Sequence, residues 1–230
     1  MPHTLIALSI VLLPVCAAAL ALFLRDFKNQ KFVRALLFKG ISSLCFVTLG
    51  AINCFANGAS TVKLLIFIGL CFGLVGDEVI ALCQVSPKHD TLSFIGGGLF
   101  FLVGHILYIP ALVMLGEISW TAVIIAFGLM VSLSLFYESH RGFLAGKTQI
   151  PLSLYLGIVT FMGTIAIGVF FKRFTLGAGL FAIGGILFAL SDNILFAYKF
   201  GNKPKIIQNI ALHVAYYIAQ LLIACSIACL

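Results

Sequence analysis

Leu64-Leu65-Ile66-Phe67-Ile68-Gly69-Leu70-Cys71-Phe72-Gly73-Leu74-Val75-Gly76-Asp77-Glu78-Val79-Ile80-Ala81-Leu82-Cys83 decides the fold. Its length matches the roughly 20 apolar residues that an α-helix needs to cross a bilayer. Yet two adjacent acids stand near its end. A charge within a span costs roughly 2.5–3.5 kcal/mol on insertion scales, so Asp77 and Glu78 together cost about 6 kcal/mol. The Leu, Ile, Phe and Val residues between Val62 and Leu82 return about 5 kcal/mol at roughly 0.4 each. The helix is near break-even alone. Its acids therefore need partners inside a bundle, and ionisable side chains so placed are functional candidates by default.

The chain around this stretch has the same character. It has 230 residues, 62% apolar and 9% charged, with a mean hydropathy of +1.19. Soluble domains are about a quarter charged, which excludes a soluble enzyme, a nucleic-acid binder and a disordered linker. Hydropathy marks spans near 4–24, 33–56, 61–83, 92–115, 118–138, 151–171, 174–198 and 206–229. The expected fold is an all-α membrane protein, a bundle of eight transmembrane helices forming one integral membrane domain over residues 1–230. The alternating ten-residue segments of a membrane β-barrel are absent from the sequence.

The breaks between spans carry polar residues and turn formers, including Arg25-Asp26-Phe27-Lys28-Asn29-Gln30-Lys31, Ser86-Pro87-Lys88-His89-Asp90 and Gly201-Asn202-Lys203-Pro204-Lys205. Odd-numbered loops hold Arg25, Lys28, Lys31, Arg34, Lys88, Arg141, Lys147, Lys199, Lys203 and Lys205. The opposite side holds only Lys63, Lys172 and Arg173. Basic residues in short loops stay cytoplasmic, so the expectation is a multi-pass cell-membrane protein with cytoplasmic odd-numbered loops and both termini outside. Residues 5–24 read as a retained first helix, because the run is too long for a signal-peptide core. The seven cysteines form no C-x-x-C pair and read as small apolar packing residues.

The chain echoes itself. Gly76-Asp77-Glu78-Val79-Ile80 returns as Ser191-Asp192-Asn193-Ile194-Leu195, and 192 − 77 = 115 is half of 230. One span after each aspartate stands His-x-x-Tyr, His105 with Tyr108 and His213 with Tyr216. Two readings are open. Either the chain is two parallel four-helix repeats, or two apolar segments share a small alphabet by chance.

Helical spacing aims both aspartates into the bundle. Gly69, Gly73, Asp77 and Ala81 fall on one face, as do Ala178, Ala182, Gly185, Ala189 and Asp192. Small residues mark close helix contacts in membranes. At about 1.5 Å rise per residue, Lys39, Asp77 and Asp192 share one slab of the cytoplasmic leaflet. Tyr155, Tyr137 and Glu138 fall in that layer, His213, Tyr216 and Gln220 slightly deeper, and His105 and Tyr108 nearer the midplane. Lys39 either serves a pocket or snorkels to the interface. The histidines have a plain alternative as buried hydrogen-bonders, and Tyr137, Glu138 and Trp120 read as interfacial anchors. No helix has two ligands at metal-site spacing, so neither metal nor cofactor is expected. A proton-coupled transporter or channel is the alternative function.

Gly76-Asp77-x-x-Ile80, then Phe100-Phe101-x3-His105-x2-Tyr108, then Ser191-Asp192-x-x-Leu195, resembles the YhhN family of multi-pass membrane proteins. Tyr216 and Gln220 are similar to its last-helix pattern. Two positions depart from the pattern: Ile80 stands in place of leucine and Gly40 in place of proline. The resemblance implies a lysoplasmalogenase, which hydrolyses the vinyl ether of a lysoplasmalogen to a fatty aldehyde and a glycerophospho-alcohol. The implied partner is a lysophospholipid drawn from the cytoplasmic leaflet. Such a reaction needs a proton donor and an anion to stabilise an oxocarbenium ion, as in glycosidase carboxylate pairs. Asp77 and Asp192 are the expected catalytic pair. Lys39, His105, Tyr108, Tyr155, Ser191, His213, Tyr216 and Gln220 are the expected supporting or substrate-binding residues.

Overall fold

A computed structural model describes residues 3–56, 58–85, 90–116, 120–139, 149–201 and 204–230. Lys88, Arg141, Lys147 and Lys203, four of the basic loop residues, lie outside these, as do Glu117 and the side chains of Tyr137 and Glu138. Eight helices follow in order: α1 (His3–Lys28), α2 (Phe32–Phe55), α3 (Thr61–Val85), α4 (Asp90–Leu115), α5 (Trp120–Ser139), α6 (Gln149–Arg173), α7 (Leu176–Phe200) and α8 (Ile206–Ser226). A 3-10 turn, Ile227–Cys229, ends the chain. Seven helices are long and apolar enough to cross a membrane, and α5 contributes a shorter apolar stretch, Trp120–Ser132. The protein is an all-helical multi-pass membrane protein. Among the described residues there is no strand.

The expected spans and the observed helices agree, with one instructive extension. The apolar run of α1 stops at Leu24, but the helix continues to Lys28. Arg25 and Lys28 favour its C-terminal turn, where cations meet unpaired carbonyls. Asp26, expected in a loop, is thereby buried, 3.2 Å from the Arg34 guanidinium of α2. Gln30, with φ +57° in the left-handed region, then stops the helix.

The sequential helix pairings of the first four helices recur in the last four, while α8 also meets α1 and α3, contacts that α4 does not mirror. The contacts of α1 with α2, α2 with α3 and α3 with α4 are repeated by α5 with α6, α6 with α7 and α7 with α8. Across the halves, α2 meets α8 and α4 meets α6, and these two seams exchange under the same correspondence. Within the first half α3 and α4 approach through glycines: a β-carbon on Gly97 would stand 2.8 Å from the Gly76 carbonyl. In the second half a β-carbon on Gly184 of α7 would stand 3.0 Å from the Ala219 carbonyl of α8. Such backbone approach is how membrane helices gain dispersion contacts where no hydrophobic force drives them together. It also brings the aspartate face of α3, and that of α7, against the centre of the bundle.

Candidate active site

Lys39 on α2 turns inward. Its ammonium lies 3.1 Å from Asp77 Oδ1 on α3 and donates to the Asp77 carbonyl at 3.0 Å. Both side chains are buried, Lys39 at 4% and Asp77 at 3% exposure, so the lysine does not snorkel. One helical turn after Lys39, Ser43 donates to Asp77 Oδ2 at 2.6 Å. The Ser43 and Tyr217 hydroxyls lie 3.1 Å apart, and Tyr217 donates to the Lys39 carbonyl at 3.2 Å. Asp77 thus has a cation on one oxygen and a hydroxyl on the other.

Asp192 on α7 has a different set. Tyr155 on α6 donates its phenol to Asp192 Oδ2 at 2.7 Å. Among the described residues, no cation pairs with Asp192. Under the correspondence of halves, Lys39 and Tyr155 reach their aspartates from equivalent helices, α2 and α6. One supplies charge and the other only a hydroxyl. That contrast distinguishes two groups that the sequence presents as twins.

The histidines are fixed alike. His105 Nδ1 is 2.6 Å from the Phe101 carbonyl and His213 Nδ1 is 2.8 Å from the Asn209 carbonyl. A carbonyl only accepts, so Nδ1 carries hydrogen in each. The His105 ring stands edge-on to Phe188 at 4.5 Å and to Tyr155 at 6.1 Å.

Two cavities adjoin these groups. A small one of about 40 Å³ is lined by the polar residues Lys39, Asp77, Ser191, Asp192, His213 and Tyr216 and by the apolar Ile80, Phe101, Leu195 and Leu212. It exceeds the roughly 10–15 Å³ that a water molecule needs. Beside it, between α4 and α6, lies a chamber of about 390 Å³, within the roughly 300–1,000 Å³ of small-molecule sites. Ile80, Phe101 and Leu195 face both spaces, and Tyr155 lines the chamber while bonding Asp192. Its remaining walls are apolar, with Phe94, Leu102 and Ile158 among them.

The expected residues are therefore divided by distance. Lys39, Asp77, Ser191, Asp192, His213 and Tyr216 meet at one cavity. Tyr155 joins through Asp192, and Gln220 through a 2.9 Å bond to the Tyr216 hydroxyl. His105 stands behind Tyr155. Tyr108 lines neither cavity; it packs on Gly69 and edge-on to Phe181. Glu78 lies beside Gly40, where a β-carbon would meet its carboxylate at 3.3 Å. Among the described residues, no three His, Cys, Asp or Glu side chains gather as a metal-binding group.

Ser43 and Tyr217 were not among the expected residues. Ser43 carries a readable signal, since it follows Lys39 by four and shares its face. Tyr217 carries none, because its neighbour Tyr216 faces the cavity and successive helical residues point about 100° apart.

The sequence profile of the YhhN family matches residues 34–227. The chain belongs to the YhhN family. No curated protein and no solved structure matches it. The YhhN match begins at Arg34 in the first turn of α2, so it takes in the rest of α2, α3 to α8 and every residue of both cavities while leaving α1 outside.

Proposed function

We propose that the protein is a lysoplasmalogenase-type hydrolase whose acid and anion are Asp192 and Asp77. The observation that carries the reading is the unequal pairing of two carboxyls on one cavity. Asp77, held by Lys39 and Ser43, is the ionised partner. Asp192, with a phenol and no cation, carries the proton.

The chemistry runs as follows. Asp192 delivers its proton to the β-carbon of the vinyl ether, and the carbon–oxygen unit becomes an oxocarbenium ion. The Asp77 carboxylate stabilises that cation across the cavity, a form of preorganised electrostatic stabilisation. Water adds to the cationic carbon and passes a proton to the Asp192 carboxylate, leaving a hemiacetal. The hemiacetal collapses to a fatty aldehyde and a glycerophospho-alcohol. Tyr155 orients the donor. His213 and Tyr216 line the space in which water and the glycerol hydroxyls are held. The substrate is a lysophospholipid drawn from the cytoplasmic leaflet, whose chain stays in an apolar environment throughout.

Transport fits less well. Past the acidic layer the bundle closes on Ile66, Leu70, Leu112 and Phe181, all fully or almost fully buried. Among the described residues, these four side chains offer no polar group to a translocated solute.

The direct test is aldehyde release by the purified protein from a lysoplasmalogen, beside its ester-linked lysophospholipid analogue. The reading expects cleavage of the vinyl ether with the ester untouched. Cleavage of the ester alone would replace it with a lysophospholipase.

A further inference from the structure

The two seams between the halves are equivalent in position and opposite in content. The α2–α8 seam is stitched by polar bonds: Asn53 donates to the Ala224 carbonyl at 2.9 Å, and Tyr217 donates to the Lys39 carbonyl at 3.2 Å. The α4–α6 seam holds the 390 Å³ chamber instead. Its outer edge is formed by Ile95 and Leu99 of α4 and Leu154 of α6, which are 38%, 57% and 53% exposed. In a membrane-spanning bundle, exposure at these positions is exposure to lipid. Its inner wall, Ile80, Phe101 and Leu195, is shared with the cavity that holds both aspartates.

We propose that the chamber between α4 and α6 binds a single long alkyl chain, entered sideways from the bilayer, with Gly98 setting the room inside it. This rests on the lipid-hydrolase reading and adds where the chain goes and what limits it. An apolar space closed to lipid would be a packing defect that neighbouring side chains fill. This one is open to lipid on one side and shares a wall, Ile80, Phe101 and Leu195, with the acidic cavity on the other. A chain lying in it brings its inner end to that wall and to Tyr155, whose phenol bonds Asp192. The α2–α8 seam offers no such entry, because its hydrogen bonds would have to break in a medium without water.

Gly98 lines the chamber from the first half of α4, and a β-carbon there would meet no atom within 4 Å. The helix does not need a glycine there, since other residues are better helix formers. Its effect is to leave the space empty. A larger side chain at this position projects into the chamber without striking backbone, which makes it a specificity-determining position.

The test uses the full chain in lipid nanodiscs and an alkyl-ether lysophospholipid, which has no vinyl group to hydrolyse, carrying a photoreactive diazirine midway along its chain. Photolysis and peptide mapping should place the label on segments 94–102 and 151–158. An excess of unlabelled lysophospholipid should compete it away. Gly98→Leu should reduce this labelling at least about tenfold, as should Leu154→Trp at the mouth, which guards against one variant failing to fold. Label confined to other helices, or label that neither competitor nor substitution changes, overturns the proposal. Binding is read without turnover, so a chain that labels as expected but cleaves no vinyl ether would contradict the hydrolase reading and leave the chamber assignment standing.

Discussion

The two halves of this bundle use the same helix pairings for different tasks. In the half built on α2 and α3, an ammonium neutralises Asp77, and the adjoining seam is closed by hydrogen bonds. In the half built on α6 and α7, a phenol reaches Asp192, and the adjoining seam holds an apolar chamber. The two aspartates stand on α3 and α7 and meet at one cavity. Their difference comes from what the preceding helix presents, Lys39 or Tyr155. Symmetry in the backbone with asymmetry in the partners is how one fold can hold an anion beside a proton donor.

The largest break in this comparison comes from the aspartates themselves. Asp77→Asn and Asp192→Asn should each lower aldehyde release by roughly 10²–10⁴, the usual contribution of positioned acid–base groups. Asp192→Asn should stay folded and membrane-inserted, which size-exclusion of the purified variant checks, whereas Asp77→Asn leaves Lys39 buried without its anion and should also lose stability. Near-normal turnover in both would remove the assignment.

Next in size is a stability effect confined to the charged half. Lys39→Met leaves Asp77 buried without its cation, and removing one partner of a buried pair costs about 3–5 kcal/mol. Unfolding in a graded denaturing detergent should show that loss. Adding Asp77→Leu to Lys39→Met should recover most of it while activity stays absent, because neither charge is then left alone. If the double variant is no more stable than the single one, the pair is not the source of the effect.

Tyr155→Phe sharpens the other half. It removes one hydroxyl donor and no charge, so its stability cost should be near the roughly 1 kcal/mol of an ordinary hydrogen bond. Turnover should fall about tenfold as Asp192 loses its orientation, equivalent to about 1.4 kcal/mol in the barrier. A stability loss as large as that of Lys39→Met would mean that the two partners are energetically alike. The smallest effect belongs to the seams. Asn53→Leu should cost about 0.6 kcal/mol, the average for an interhelical hydrogen bond in a membrane. Leu154→Ala at the open seam should cost less.

Much of this was written in local order along the chain. Twenty-odd apolar residues per helix, the break at each polar loop and the inward aspartate faces follow from composition and helical period. So does the common depth of Lys39, Asp77 and Asp192, which needs only the rise per residue and a starting point. What pairs with what does not follow from depth. Lys39 chooses Asp77 rather than Asp192 because α2 packs on α3, and Tyr155 takes the corresponding place on α6. Tyr108 shows the limit from the other side: its spacing from His105 matches that of Tyr216 from His213, yet it packs on Gly69 away from the cavity. The chamber was invisible in sequence because its walls come from four helices of both halves, and emptiness between helices leaves no residue pattern.

The central claim is that a protein carboxyl protonates the vinyl carbon while a second one stabilises the cation. Turnover in D2O reads the first step directly, since the transferred proton ends on the aldehyde carbon next to the carbonyl. Mass spectrometry of the trapped product should find one deuterium at that carbon from the original chain and no product from Asp192→Asn. Aldehyde released without deuterium there would contradict the account.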